Sequence, residues 1–197
     1  MPYLIIFMTQ YLSFGVIEYS VIFALAIILG AAINVFLGKI SDKISKPHAM
    51  YFATAVFSLG LFLMFLSSSL KKPLSLVFFG LASFVMITGY IYISALSGAI
   101  VRDYTPEADT GKLQGVRMIF FVLIPMLAGP AIGNAINAAQ GIPLPDSSSA
   151  DTMTTNYIPA PEIFLAGSLV ALLMFALIPL LIKIIKKAPA TSSSENN

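Results

Sequence analysis

"VIEYSVIFALAIILGAAINVFLGKISDKISKPH", Val16 to His48, joins two kinds of chemistry. From Val16 to Leu37 the run is apolar, interrupted by Glu18 at its start and Asn34 near its end. From Gly38 onward Lys39, Lys43 and Lys46 are gathered around Asp42. The hydrocarbon core of a bilayer is about 30 Å thick and takes roughly 20 apolar residues in a helix to cross. The first part is therefore long enough to span a membrane, and the basic hinge marks where the chain leaves the lipid.

Four more runs of this kind follow, at 49–70, 74–101, 113–138 and 163–182. The third span is long enough to require tilt, and the fourth is broken by Pro125 and Gly129-Pro130. Of the 197 residues, 58% are hydrophobic and 10% charged, where a soluble domain carries about 25% charged residues. With a mean hydropathy of +0.91, too little polar surface is left to face water all round. The sequence predicts an all-α, polytopic membrane helix bundle. The opening segment, "MPYLIIFMTQYL", is too short to cross and lacks the basic start and cleavage site of a signal peptide. It is expected to be a partial helix over 3–13, the latter half of a sixth span; a short interfacial or re-entrant segment is the alternative.

The same numbers exclude several functions. A net charge of +2 gives no basis for nucleic-acid binding. The absence of cysteine removes disulfides, thiolate metal sites and cysteine nucleophiles. Without tryptophan, an interfacial aromatic belt must use Tyr and Phe. His48 has no acid or second histidine at ligand spacing, and no phosphate-binding glycine loop or nucleophile motif is present. The reading is not an enzyme, with no metal site.

Basic residues set an orientation. Lys39, Lys43, Lys46, Arg102, Arg117, Lys112, Lys183, Lys186 and Lys187 fall at one end of the spans, Lys71 and Lys72 at the other. Positive charge stays cytoplasmic, so the hinge and the C-terminus are expected inside the cell and the 139–161 connection outside. The bundle is expected to occupy 1–187. The tail at 188–197, ending "ATSSSENN", is expected to be disordered.

Within this frame, four features carry chemical content. Gly38 permits a tight turn or close helix approach, while Asp42 accepts from backbone donors and Lys43 and Lys46 reach headgroup level; simple topogenic charge is the other reading. In "VRDYTPEADTGKLQGVRM" the Thr105-Pro106-Glu107 run is a helix start, which Gly111 is expected to close. Gly115 and Arg117 then enter the next span, Arg117 either snorkelling to the interface or lining a polar interior. Pro125 and Pro130 kink that span, and Gly129 and Gly133 form a small-xxx-small face. That face either packs or bends beside a solute path. Lastly, Gln10, Asn34, Tyr90, Tyr92 and Asn134, with Thr9, Thr54, Thr88, Ser94, Ser97 and Asn137, either hydrogen-bond a hydroxylated solute or join helices.

"GKISDKISK" resembles the cytoplasmic-loop signature of the major facilitator superfamily at Gly38, Asp42, Lys43 and Lys46, with Ser45 where that pattern has glycine. "RDYTPEADTGKLQGVR" followed by "PMLAGPAIG", and "PYLIIFMTQYL…EYS", resemble the glycoside–pentoside–cation symporter and sucrose-transporter-like branch. The resemblance implies twelve helices in two six-helix halves with the solute between them, this chain being a C-terminal half that begins midway through its first helix. It implies secondary active transport of a small solute, a sugar or glycoside, by alternating access. The coupling cation would be H+ or Na+, with no other cofactor, in a bacterial inner membrane. The partners implied are lipid, the solute, and the N-terminal half of the transporter or a second copy. The hinge residues are expected to pair, Asp42 with Arg102 and Lys46 or Lys43 with Asp103, tying the second and fourth segments. A self-sufficient homodimer and a non-transport membrane scaffold or enzyme are the competing readings.

Overall fold

The computed structural model describes residues 2–41, 43–71, 73–103, 110–143 and 157–187. Asp42, the Thr105-Pro106-Glu107 helix start, most of the 139–161 connection and the 188–197 tail lie outside the described residues.

Helix α1, Pro2–Ile6, runs into a π-helical turn at Phe7–Tyr11. Helix α2 spans Val16–Ser41, α3 Lys46–Ser67 and α4 Leu74–Asp103. Helix α5, Thr110–Met118, continues through a π-helical turn, Ile119–Leu123, into α6, Ile124–Gln140. Strands β1, Ile142–Pro143, and β2, Tyr157–Ile158, form a two-residue antiparallel pair before α7, Glu162–Lys187. Five of these helical stretches are long and apolar enough to cross a bilayer. At 1.5 Å per residue, the 30 residues of α4 extend about 45 Å, well beyond a hydrocarbon core of about 30 Å.

Local chemistry accounts for the ends. The Gly15 N–H donates to Glu18 Oε2 at 2.8 Å, so the first-turn acid folds back to satisfy an orphan donor at the start of α2. Helix α3 starts after Ser45, whose hydroxyl is hydrogen-bonded to His48 Nδ1, with Pro47 in the first turn, where its missing N–H costs nothing. The π-helical turn in the fourth span directly precedes Pro125. A proline ring clashes with the carbonyl four residues back, and the Ile124 N–H instead reaches Ile119 O, a wider turn that relieves the clash.

Helix α4 lies between α2 and α3, and α3 in turn lies between α4 and α7. The α3–α4 crossing is the tightest in the molecule's described part. A Cβ on Gly60 would lie 2.5 Å from Met86 Cα, and one on Gly89 would lie 2.7 Å from Phe57 Cα. Each helix thus offers a glycine to the other's backbone. On one side of this crossing, Phe7, Met8, Met64, Phe79, Met86 and Phe164 form a core; on the other, Ala53, Tyr92, Leu96, Ile100 and Ile178 form a second. Phe7 and Met8 are wholly buried, which puts the opening segment inside the bundle rather than along an interface.

Several sequence expectations are corrected. Helices α2 and α4 outlast their apolar runs, to Ser41 and Asp103, while α3 is displaced from its run at 49–70, starting at Lys46 and ending at Ser67. Gly38 therefore sits within α2, and a Cβ there would meet nothing within 4 Å, so neither a turn nor a close approach requires it. Gly111 lies in the first turn of α5 rather than closing a turn before it. Gly129 faces open space while Gly133 is buried, so the two do not form one contact face.

Candidate functional site

Helix connectivity brings the C-termini of α2, α4 and α7 and the N-termini of α3 and α5 to one end of the bundle, called the basic end below. There the Lys46 ammonium donates to Asp103 Oδ2 across the open ends of the α3–α4 hairpin, both side chains being about one-third exposed. Lys46 belongs to α3, so the tie runs between the third and fourth segments rather than the second and fourth. It is an odd pair for helix stability. A base at a helix N-terminus and an acid at a C-terminus each oppose the local helix dipole. Each charge thus disfavours its own helix end and is compensated by the other. Lys43 and Arg102 are exposed beside it.

Arg117 is half-buried two residues before the π-helical turn. Its guanidinium carbon lies 5.5 Å from the Phe121 ring centroid, a cation–π arrangement. A Cβ on Gly98 would lie 3.4 Å from Arg117 Nη2, so the guanidinium rests against α4 at that glycine. Gly115 and Gly111 are exposed, and Cβ atoms there would meet nothing.

The polar residues within the spans separate into two groups. Asn34 Nδ2 donates to Gly30 O at 2.8 Å and to Thr88 O at 3.2 Å, and Tyr92 OH donates to Leu37 O at 3.4 Å. Thr88 Oγ1 donates to Phe84 O at 2.8 Å within its own helix. A Cβ on Gly30 would sit 3.2 Å from Thr88 Oγ1, so this glycine lets the α2–α4 seam close. Asn34 and Tyr92 therefore join helices. Thr54 donates to Met50 O and Thr9 to Ile5 O, each within one helix, as such hydroxyls do inside membrane helices.

The second group faces outward. Tyr90 is 51% exposed near the middle of α4, with its ring centroid 6.3 Å from that of Phe57. Ser94 is exposed and Ser97 half-buried. Spacings of four and three put Tyr90, Ser94 and Ser97 on one helix face, leading toward Gly98 and the Arg117 guanidinium. Gln10 and Asn134 are also exposed, each on another element.

The bundle thus presents an outward stripe of hydroxyls on α4 and an ion pair at its basic end. The family model described as Major Facilitator Superfamily matches residues 1–197. The chain belongs to the major facilitator superfamily. Neither a curated protein nor a solved structure matches it. As a member of that superfamily, it serves membrane transport of a small solute. Among the described residues no group of three His, Cys, Asp or Glu side chains could hold a metal ion.

The glycines that matter most for packing in this superfamily member, Gly30, Gly60, Gly89 and Gly98, escaped the sequence reading. Gly60 and Gly89 carry no local signal; the register of two helices decides them. The Tyr90–Ser94–Ser97 stripe, by contrast, is a visible i, i+4, i+7 pattern.

Proposed function

We propose that the chain is the C-terminal half of a secondary active transporter that carries a sugar or glycoside with a coupling cation, H+ or Na+, by alternating access. It works against a second six-helix bundle in a bacterial inner membrane, with the basic end and the C-terminus cytoplasmic. The observation that carries this reading is the hydroxyl stripe of Tyr90, Ser94 and Ser97. Polar groups exposed at mid-span are costly against lipid and belong against protein or a water-filled path. Hydroxyls with one phenol ring suit a neutral, hydroxylated solute, and Arg117 closes the stripe at the basic end. Lys46–Asp103 acts as a brace that holds the hairpin ends in one conformation and releases them in the other. Half-exposed pairs contribute up to about 1 kcal/mol, enough to bias such a switch without locking it.

The absence of cysteine from these 197 residues makes the test direct once any cysteine of the partner bundle is replaced by serine. Single substitutions Tyr90→Cys, Ser94→Cys and Ser97→Cys, in vesicles carrying the chain with its partner bundle, should react with a water-soluble thiol reagent and be protected by the transported sugar. Val77→Cys and Leu81→Cys, on exposed apolar positions of the same helix, should stay unlabelled. Labelling of both sets alike, or of neither, would overturn the assignment of the path.

A further inference from the structure

We propose that the end of the bundle opposite the basic hinge carries a binding cleft for a small organic ammonium ion. The C-termini of α3 and α6, the π-helical turn after α1 and the start of α7 converge there around a cleft of about 300 Å³, lined by Tyr11, Phe65, Ser69, Gln140, Pro159 and Glu162 among others. That volume is at the small end of ligand pockets, which run from about 300 to 1,000 Å³, and suits a compact ion.

The lining chemistry selects the ligand. Among the described residues Glu162 is the one carboxylate that lines the cleft, and none of the described lining residues is Lys, Arg or His. Lys71 is two residues beyond Ser69 and is not part of the wall. Glu162 is half-buried in the first turn of α7. Tyr11 and Phe65 line the same cleft, and aromatic ring faces attract quaternary and primary ammonium groups. The Tyr11 ring is fixed, stacked on buried Phe7 with centroids 4.8 Å apart and planes 13° from parallel. The wall at Ala160 is fixed as well. Buried Asn137 accepts at Oδ1 from the Ala160 N–H at 3.2 Å, and the Gly141 N–H donates to Asn137 O at 2.7 Å. A wall held in place before binding lowers the ordering cost of binding. A phosphate or carboxylate ligand would meet an uncompensated acid. A neutral polyol would desolvate that acid and leave its charge unpaired.

Choline is the probe, added to the full chain in lipid nanodiscs and followed by saturation-transfer NMR and calorimetric titration. Saturable binding is expected, with Glu162→Gln weakening it at least about tenfold through loss of a charge-assisted contact. Tyr11→Leu should weaken it about two- to fivefold, the scale of an exposed cation–π contact. Sorbitol should not compete. Should Glu162→Gln lose helix content, Gln140→Lys at the exposed rim replaces it, and it too should weaken choline at least about tenfold by repulsion. Unchanged affinity in the folded variants, displacement by sorbitol, or no saturable binding would each overturn the proposal. None of these results bears on thiol labelling at Tyr90, so this cleft and the transport path stand or fall separately.

Discussion

The α3–α4 hairpin and the α5–α6 rod are comparably apolar, yet 39% and 44% of the spanning windows of α3 and α4 are buried against 6% for the rod. The hairpin is held by its own small residues: Gly60 and Gly89 let two backbones meet, and Ala53, Ala82 and Ser83 are buried along the same two helices. The rod touches the rest mainly through its last two turns, where Gly133 and Asn137 are buried. Its middle, from Ile119 to Ile132, is exposed. Apolar character alone therefore says that a segment belongs in lipid. Whether it folds against this chain depends on side-chain size at a few contacts, since in a bilayer packing rather than hydrophobicity joins helices.

The harshest way to break this contrast is to fill the crossing. Gly60→Leu or Gly89→Leu would drive a side chain into the partner backbone and should destabilise the hairpin by about 3 kcal/mol or more. Thermal unfolding in detergent should show it as a large loss of midpoint. Gly129→Ala in the rod, with nothing within 4 Å, should change stability by less than about 1 kcal/mol. Equal effects at the two sites would erase the distinction between hairpin and rod.

Next in size is the rod's attachment. Asn137→Ala leaves the Ala160 N–H without its acceptor, and an unsatisfied buried donor costs about 1–3 kcal/mol. Amide exchange should quicken at Ala160 and along the end of α6, while the hairpin amides stay protected.

The smallest effect has an unusual sign. Lys46→Ala should cost less than about 1 kcal/mol, but the exchange Lys46→Asp with Asp103→Lys keeps the pair and turns both charges to agree with the helix dipoles. It should stabilise the hairpin by about 0.5–1 kcal/mol, read as a raised unfolding midpoint. A destabilised double variant would mean that the native orientation serves the hairpin itself.

How far the sequence could be read follows from what hydropathy measures. Membrane spans were visible because each apolar run exceeds the bilayer's demand. Their ends were not, because backbone hydrogen bonding carries α2 on through Lys39 to Ser41 and α4 through Arg102 to Asp103 after the apolar residues stop. Asn34, Tyr90 and Tyr92 were indistinguishable as polar residues in spans. Only helix register shows that Asn34 and Tyr92 face the α2–α4 seam while Tyr90 faces out. The kinked fourth span was legible from Pro125 and Pro130, but the wide turn that absorbs Pro125 lies upstream of it, at residues with no helix-breaking character.

The reciprocal glycines also set how the hairpin can move. Fourteen residues of α3 separate Gly60 from Lys46 and seven separate it from Ser67, about 21 Å and 10 Å of helix. Gly89 lies instead near the middle of α4, fifteen residues from Leu74 and fourteen from Asp103, so the arms that reach Lys46 and Asp103 are equally long. The Lys46–Asp103 pair thus clasps the hairpin about 21 Å beyond its rivet along both helices.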